Sequence, residues 1–499
     1  MTAMKGLLLG TAAGLFAVAS AQAADLPVKA KPVEYVKVCS LYGAGFFYVP
    51  GTDTCLKIGM YLRADHAYGA GGTNAPPGYY MAAAGGDNLF TRDGTDFYTF
   101  RARINLSTDW RTQTDFGVLR AYAMLQVQAS TNEPAPPLAA SATGTAGLTR
   151  AFIQFAGFTI GHAVSYFDFF NGADYGYAPS IWGASTGVNG TDLIAYTWQL
   201  GNGWSASIDV EDGTGPGRTR RVSNVSAVSG VGLTPGAAGA AGILGSQAAQ
   251  AAWTPDIAGN IRIDQAWGSA QLSGALHNLN ASYYGGPVGT AGISPSTQWG
   301  HPGSTWGWAI QGGFRLLNFL QPKNRFEASA YYCDGAVAYC VSTPNAAPYG
   351  SGNTLGAGFA VDGVFINGSS IEKTESWGAQ AAFEHFWNAQ WRTAVVGGYT
   401  EVNYGATATN WICTAAGVGA LAFTNCNPNF SQTSVSTRTA WNPHPMLEIG
   451  LDLIWWHLDT AFAGAATLPA NGARPAGRYT LEDQDRFLAI LRVQKTVLP

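Results

Sequence analysis

The strongest constraint on the fold is a series of segments in which apolar and polar residues alternate with period two. Between residues 98 and 110, for example, Tyr98, Phe100, Ile104 and Leu106 share one face, and the opposite face carries arginines and small polar residues. This alternation is typical of β-strands with one apolar and one polar side, and we count about sixteen such segments. They begin near Cys55, Asp96, Phe116, Leu148, Phe158, Thr191, Gly203, Asp256, Gly268, Ser304, Asn324, Thr374, Gln390, Phe430, Met446 and Glu482.

The connections between these segments alternate between short and long. Residues 201–203 and 442–445 form short turns rich in Gly, Asn and Pro, whereas residues 69–95 and 212–253 form long connections rich in Gly, Ala, Ser and Thr. A barrel that crosses an outer membrane has short turns on its periplasmic side and long loops outside. Strands of about ten residues cross the apolar layer, and the sheet must close so that every backbone group is paired. We therefore predict an all-β, transmembrane, antiparallel up-and-down β-barrel of about sixteen strands.

The first residues have the features of an export signal. Lys5 precedes an apolar stretch, and Ala21-Gln22-Ala23 fits a signal-peptidase site, so we expect residues 1–23 to be cleaved. An uncleaved anchor helix is the alternative, but the apolar stretch is short for a membrane span. Charged residues make up only 12% of the chain, with a formal net charge of -4 and no basic run, which argues against nucleic-acid binding.

The six cysteines form three near-neighbour pairs. In an exported chain an even number of cysteines is typical of disulfides, so we predict the bonds Cys39–Cys55, Cys333–Cys340 and Cys413–Cys426. Metal binding is the alternative, but no CxxC motif occurs and no histidine lies near the first pair. We expect residues 24–54 to form an N-terminal periplasmic, plug-like segment pinned by the first disulfide, and residues 55–499 to form the barrel.

If the polar strand faces point inward, basic residues gather on four strands that a closed barrel makes neighbours. We predict that they form one basic wall of the pore. Its members are Lys57, Arg63, Arg101, Arg103, Arg120, Arg486 and Arg492. The alternative is a set of scattered, solvated arginines.

One long connection, residues 168–190, differs from the others because it is rich in aromatic residues. Such a composition disfavours a floating surface loop, so we predict that this inner loop folds into the lumen and narrows it. Its carboxylates would then face the basic wall and create a field across the opening. The candidate residues are Asp168, Asp174, Tyr175, Tyr177 and Trp182.

Four stretches of the chain resemble the alphaproteobacterial general porins, the outer-membrane diffusion porins of rhizobia and their relatives. They are EYVKVCSLYGAGFFYVPGTDTCLKIGMYLRAD, TFRARINLSTDW, RAFIQFAGFTIGHAVSYFDFF and YTLEDQDRFLAILRVQ, spread over both ends and the middle of the mature chain. The resemblance implies a sixteen-stranded barrel in the outer membrane of a Gram-negative cell. It also implies a homotrimer, passive diffusion of small hydrophilic solutes and ions, and a loop after the FDFF stretch that enters the pore.

We therefore predict a porin with a constriction selective for size and charge, in contact with outer-membrane lipid and without cofactor or metal. A solute-specific channel for a sugar or an anion is one alternative, since Tyr175, Tyr177 and Trp182 could begin an aromatic ladder. A surface adhesin or structural barrel is another. An enzyme is not supported, because the G-x-S-x-G match at residues 183–187 lacks the strand–turn–helix context. The sign of ion selectivity stays open, since the basic wall favours anions, and the net charge and inner-loop acids favour cations.

Overall fold

The computed structural model describes residues 37–69, 98–130, 144–170, 172–177, 183, 185, 190–213, 222–227, 246–248, 254–286, 296–341, 347–351, 354–358, 360–414, 422–468 and 477–498. The predicted signal peptide, residues 1–23, lies outside these ranges. None of the helices within them is long and apolar enough to cross a membrane.

The main sheet is a closed ring of sixteen antiparallel strands, and four short strands extend it. The ring strands are β1 Thr54–Tyr68, β2 Tyr98–Thr114, β3 Gly117–Ser130, β4 Gly144–Phe155, β5 Phe158–Ala163, β6 Thr191–Gly201, β7 Trp204–Glu211, β8 Asp256–Gln265, β9 Gly268–Leu279, β10 Thr305–Leu317, β11 Arg325–Asp334, β12 Glu372–Phe386, β13 Trp391–Tyr404, β14 Phe430–His444, β15 Leu447–Asp459 and β16 Gln484–Leu498. Each strand pairs with the next ring strand, and β16 closes the ring on β1. The predicted fold class is confirmed.

The two faces of each strand differ as the period-two pattern predicts. On β3, Leu125 and Val127 are exposed on the outer face, and Arg120 and Gln126 lie on the inner face. The outer face carries many other exposed apolar side chains, among them Leu106, Ile208, Leu272, Val395 and Leu453. This outer surface suits a hydrocarbon environment, whereas the inner surface is polar.

Short turns gather at one end of the ring, and long connections gather at the other. The turn between β6 and β7 contains Asn202 and Gly203, both with positive φ, as two-residue hairpins require. A side chain at Gly203 would also collide with the backbone oxygen of Asp264, because its Cβ would lie 2.1 Å away. The sequence-predicted turn at residues 201–203 is therefore correctly placed, and we refer to this side of the barrel as the short-turn end.

The long connections carry most of the additional structure. They contain helix α1, Ala406–Thr414, and a separate five-stranded sheet formed by Ala347–Ser351, Thr354–Gly358, Ala422–Asn425, Ala463–Leu468 and Gly477–Leu481. Buried residues such as Val337, Ile412 and Trp456 form an apolar core at this end. The long loops are therefore folded onto the rim of the barrel where they are described.

The N-terminal segment is fastened to the first strand at the short-turn end. Residues Phe47–Tyr48 pair with Cys55 and Leu56, and the disulfide Cys39–Cys55 holds the same region. The guanidinium of Arg111, near the end of β2, lies 4.9 Å from the ring centre of Phe46. The other predicted disulfides, Cys333–Cys340 and Cys413–Cys426, are also present.

The assignment of faces predicts opposite results for two neighbouring substitutions in the middle of β3. Leu125→Arg places a charge on the outer, apolar face and should lower the free energy of unfolding in lipid by about 2–4 kcal/mol. Gln126→Arg changes the wet inner face and should cost less than about 1 kcal/mol. Guanidinium titration of the protein folded in phospholipid vesicles measures both values. Equal costs would mean that the face assignment is wrong.

Candidate functional site

The connection between β5 and β6 turns into the barrel interior immediately after Ala163. The backbone N–H of Tyr166 donates to Asp209 over 3.1 Å, and the Asn260 side chain donates to the carbonyl oxygen of Tyr166 over 2.6 Å. Gln271 donates to the carbonyl oxygen of Asp168 over 3.0 Å. The chain therefore enters the interior along the inner faces of β7, β8 and β9.

Tyr175 anchors the inner loop to the wall formed by β10 and β11. Its ring is fully buried, and its hydroxyl donates to Glu327 over 2.8 Å. Arg325 lies 5.5 Å from the centre of the same ring, and Phe170 stacks with it at 5.9 Å between ring centres. The aromatic composition of the loop thus serves contact with the barrel wall.

Tyr177 extends this anchoring across the barrel to β15 and β16. Its backbone N–H donates to Asp452 over 2.6 Å, and its hydroxyl donates to Glu448 over 2.8 Å. The guanidinium of Arg492 lies 3.9 Å from the ring centre, which is a favourable cation–π distance. Because one short segment carries Tyr175 and Tyr177, the loop contacts the wall from β10 to β16.

An apolar patch on the inner face receives the Tyr177 ring. Ala67, Ile454, Leu488 and Ile490 are buried together with Tyr177. Leu488 and Ile490 interrupt the polar alternation of the last strand, and the alternation alone does not explain this interruption. The structure explains it, because these two residues form the surface on which the loop packs.

Gly176 lies between the two anchors, where the loop passes close to the wall. A Cβ at this position would lie 3.0 Å from Ser436 Oγ and 3.3 Å from the Asp452 carboxylate. A larger residue would push the loop away from β14 and β15. The Tyr-Gly-Tyr sequence therefore provides two anchors and the small residue that allows them to dock.

The wall beneath the loop contains buried carboxylates that are paired with guanidinium groups. Glu384 on β12 is fully buried and pairs with Arg325, with Arg392 at 3.2 Å and with Arg438 at 2.8 Å. Glu327, also fully buried, pairs with Arg315 over 2.7 Å. Buried carboxylates require such partners, since an isolated buried charge is costly.

The two inner-loop carboxylates have different surroundings. Asp174 lies 3.5 Å from Arg315, and its carbonyl oxygen accepts a hydrogen bond from Arg438 over 2.8 Å. Asp168 lines the same cavity as Arg150 of β4. Trp182, the remaining candidate on this loop, lies outside the described residues.

Four of the seven predicted wall residues lie near the seam between β1, β2 and β16, and three of them contact Asp65. Arg492 Nε lies 2.6 Å from the Asp65 carboxylate, Arg101 donates to it through two nitrogens, and Arg63 lies 3.6 Å away. Arg103 lies opposite Arg63 in the strand register and donates to Gln128 over 2.9 Å. The structure therefore brings these four arginines together.

The other three predicted wall residues are separate from this cluster. Lys57 and Arg120 lie toward the short-turn end, where Lys57 is opposite Asp109 in the register and Arg120 Nε lies 2.9 Å from Asp109. Arg486 pairs through its backbone with Trp456 near the long-loop end, and its side chain is outside the described part of the chain.

A cavity of about 880 Å³ lies between the chain entering the interior and the wall from β3 to β9. Arg120, Arg150 and Arg262 line it together with Asp168. Sequence reasoning missed Arg150 and Arg262, although each shares a strand face with a polar residue that also lines the cavity, Gln154 on β4 and Asn260 on β8. Among the described residues, Tyr175, Gly176 and Tyr177 pack against the β10–β16 side of the interior, and this cavity lies on the β3–β9 side.

One group among the described residues has the composition of a metal site. His457, Asp459 and Asp483 have potential ligand atoms within 4.8 Å of one another near the long-loop end. His457 also lies 3.0 Å from Asp485. Both His457 and Asp459 are on the outer face of β15, away from the inner loop and the cavity.

Comparison with known proteins finds similarity to porins. The profile of the Porin subfamily matches residues 25–490. Porin Omp2a of Brucella ovis is 36% identical over 228 residues, which are 42% of this chain and 60% of that protein. Porin Omp2b of Brucella suis is 35% identical over 217 residues, which are 42% of this chain and 52% of that protein. The matched regions thus span only a little over half the length of these relatives.

Among solved structures, the outer membrane channel DcaP of Acinetobacter baumannii is similar in fold. It aligns with a TM-score of 0.54 over 90% of this chain and 99% of that chain, at 14% sequence identity. At this identity the likeness concerns the fold alone.

The charge network beneath the loop predicts unequal effects for two neutralising substitutions. Glu384→Gln leaves three guanidinium groups without their buried carboxylate and should lower the free energy of unfolding by about 3–5 kcal/mol. Asp264→Asn removes the exposed partner of Arg262 and should cost at most about 1 kcal/mol. Denaturant titration in vesicles compares the two variants, and equal losses would contradict the network described here.

Proposed function

The chain belongs to the Porin subfamily, and we propose that it forms a water-filled channel through which small hydrophilic solutes and ions diffuse passively. The family and the barrel fold locate the protein in the outer membrane. A barrel of sixteen strands is wide enough to leave an aqueous channel. The family assignment also favours a channel over the enzyme alternative.

The observation that carries this proposal is the one-sided packing of the inner loop. Tyr175 and Tyr177 hold the loop against β10–β16 through Glu327, Glu448 and Asp452. The cavity remains on the side of β3–β9. A loop in this position narrows the interior without filling it, which is the arrangement that a size-selective diffusion pore requires.

The proposal divides the chain as the sequence suggested. Residues 24–54 form a segment at the periplasmic, short-turn end, and residues 55–499 form the barrel. Residues 168–190 constrict the pore. The contacts of Cys39, Phe46 and Arg111 near the short-turn end support the first assignment.

The residues proposed to set the charge of the opening are the basic wall and the inner-loop acids. The geometry favours partners outside the predicted basic wall, since Asp174 lies 3.5 Å from Arg315 and Asp168 lines the same cavity as Arg150. The field across the opening then runs between the loop and several parts of the wall. Opposite charges on the two sides would orient water and hinder apolar solutes.

A sugar-specific channel is less well supported by the contacts of the loop. A sugar ladder needs aromatic faces that solutes can reach, but the rings of Tyr175 and Tyr177 are buried. Their hydroxyls donate to Glu327 and Glu448. These residues therefore suit a role in positioning the loop.

We include outer-membrane lipid and a homotrimer in the proposal. The exposed apolar outer face suits contact with lipid or with another copy of the chain. The trimer is the assembly that the family resemblance implies. Chemical cross-linking of the protein in native outer membranes would test the trimer. Recovery of the monomer without cross-linked dimers or trimers would contradict it.

Deletion of residues 174–181 from the inner loop tests the constriction. Purified protein in liposomes and planar bilayers should conduct ions and admit small sugars. Deletion of residues 174–181 should increase single-channel conductance and the largest sugar admitted, because the anchored part of the loop is gone. A deletion of equal length at residues 232–239, in the long connection 212–253 that is rich in Gly, Ala, Ser and Thr, serves as the control.

Liposome swelling with sugars of graded size measures the largest sugar admitted. The difference in mobility between unheated and heated samples on an SDS gel confirms that each variant is folded. A size limit that does not change when residues 174–181 are removed would contradict the constriction. Absence of conductance from the folded, undeleted protein would contradict the channel itself.

A further inference from the structure

We propose that the channel prefers anions, and that small inorganic and organic anions such as chloride and carboxylates bind in the cavity between the chain entering the interior and β3–β9. This inference rests on the proposed channel function and adds the sign of selectivity and the residues that set it. It follows from which charged groups face the open space and which lie behind them.

The arginines of the inner wall lie in front of their carboxylate partners. The side chains of Glu327 and Glu384 are 0% exposed, whereas those of their partners Arg315 and Arg325 are 28% and 32% exposed. A solute in the lumen therefore meets guanidinium groups first. The buried carboxylates hold the arginines in place and present little charge to the lumen.

The same arrangement recurs on the other side of the barrel. Asp109 has a side chain only 12% exposed and pairs with both Arg111 and Arg120, which are more exposed than it is. One partly buried carboxylate thus compensates two guanidinium groups. Lys57 lies opposite Asp109 in the register and adds to the basic character of this sector.

Together these residues surround the interior near the short-turn ends of their strands. The basic members are Lys57, Arg111, Arg120, Arg262, Arg315, Arg325, Arg392 and Arg438, and the carboxylates at the same level are Asp109, Asp174, Asp264, Glu327, Glu384, Glu448 and Asp452. Asp174, the partner of Arg315, and Asp264, the partner of Arg262, are the exposed exceptions among the carboxylates. The side chains that this level exposes to the lumen are therefore mainly basic.

The cavity concentrates this charge at one place. Arg120, Arg150 and Arg262 line it, and Asp168 is the carboxylate among its lining residues. The guanidinium of Arg120 lies 5.1 Å from the ring centre of Tyr122 and 5.5 Å from that of Phe152. The aromatic pair and the hydrogen bond from Arg120 to Gln154 hold this guanidinium at the cavity wall.

Guanidinium groups in such a setting recognise anions. Their planar array of N–H donors matches carboxylate and phosphate oxygens. Rings of Arg and Lys are a general basis for anion selectivity, and a lumen of one sign raises the local concentration of counter-ions. The cavity is large enough for a small carboxylate with part of its hydration shell.

The negative formal charge of the chain does not oppose this inference, because acids lie elsewhere. Asp459 and Asp485 are on the outer face of the barrel beside His457. Asp256 and Asp362 are buried beside His277 under the long loops. The formal net charge of -4 therefore does not describe the charges that a permeating ion meets in the short-turn half of the barrel.

The test is the reversal potential of the full-length folded protein in a planar bilayer with a tenfold gradient of potassium chloride. We expect chloride to be more permeant than potassium by about threefold or more. The combined variant Arg120→Gln, Arg150→Gln, Arg262→Gln should conduct with a permeability ratio close to one. Arg478→Gln, which removes an exposed arginine near the long-loop end, should keep the original ratio.

A second probe addresses binding in the cavity. Succinate added to the bath should reduce the chloride current of the original protein at millimolar concentration, and the triple variant should need at least about tenfold more succinate for the same reduction. The single variant Arg262→Gln should need a succinate concentration between those of the original protein and the triple variant. It provides the comparison if the triple variant folds poorly.

The outcomes separate the two proposals. A conducting channel that prefers potassium, or neither ion, overturns the anion inference and leaves the channel function intact. Preference for chloride that the triple variant retains would overturn the assignment to this cavity. No conductance from the folded protein would overturn the channel function as well.

Discussion

The need to pair every backbone polar group within an apolar layer governs this structure. Hydrocarbon offers no partner for an exposed strand edge, so the sheet must close. Here closure depends on β1 and β16, whose ladder includes a register shift between Met60 and Tyr61. Asp65 of β1 lies opposite Arg492 of β16, and their ion pair joins the first and last strands of the ring across this seam. Once the ring is closed, every strand has one face toward lipid and one toward the interior.

That interior face then has to accommodate charge in a confined space. Carboxylates such as Glu384 are buried and surrounded by guanidinium groups, and the inner loop covers part of this network through Tyr175 and Tyr177. The loop contributes hydrogen-bond donors to Glu327, Glu448 and Asp452, and its aromatic rings form cation–π contacts with arginine side chains of the wall. The same contacts that hold the loop to β10–β16 leave the open cavity on the opposite side. The position of the loop, the compensation of the buried charges and the shape of the open space therefore depend on the same set of contacts.

The sequence predicted the ring well because the physics of each strand is local. Period-two alternation and turn residues located all sixteen strands, and the start expected near Leu148 differed most, since β4 begins at Gly144. The cysteine pairs were predictable because their partners are near neighbours. The charge partners were not predictable, because Arg438 and Glu384, or Tyr177 and Glu448, meet only through strand register and the path of the loop. Leu488 and Ile490 were visible as exceptions, but their role required the position of Tyr177.

The central claim is that water fills the β3–β9 side of the interior and that the loop seals the β10–β16 side. Single cysteines test it directly, because all six native cysteines are in disulfides. A membrane-impermeant sulfonated methanethiosulfonate should react rapidly with Ser205→Cys, which lines the cavity, and should reduce the single-channel current. It should leave Ser436→Cys, which lies beneath Gly176, and lipid-facing Ile208→Cys unmodified. Rapid reaction and current loss at Ser436→Cys with none at Ser205→Cys would contradict the account.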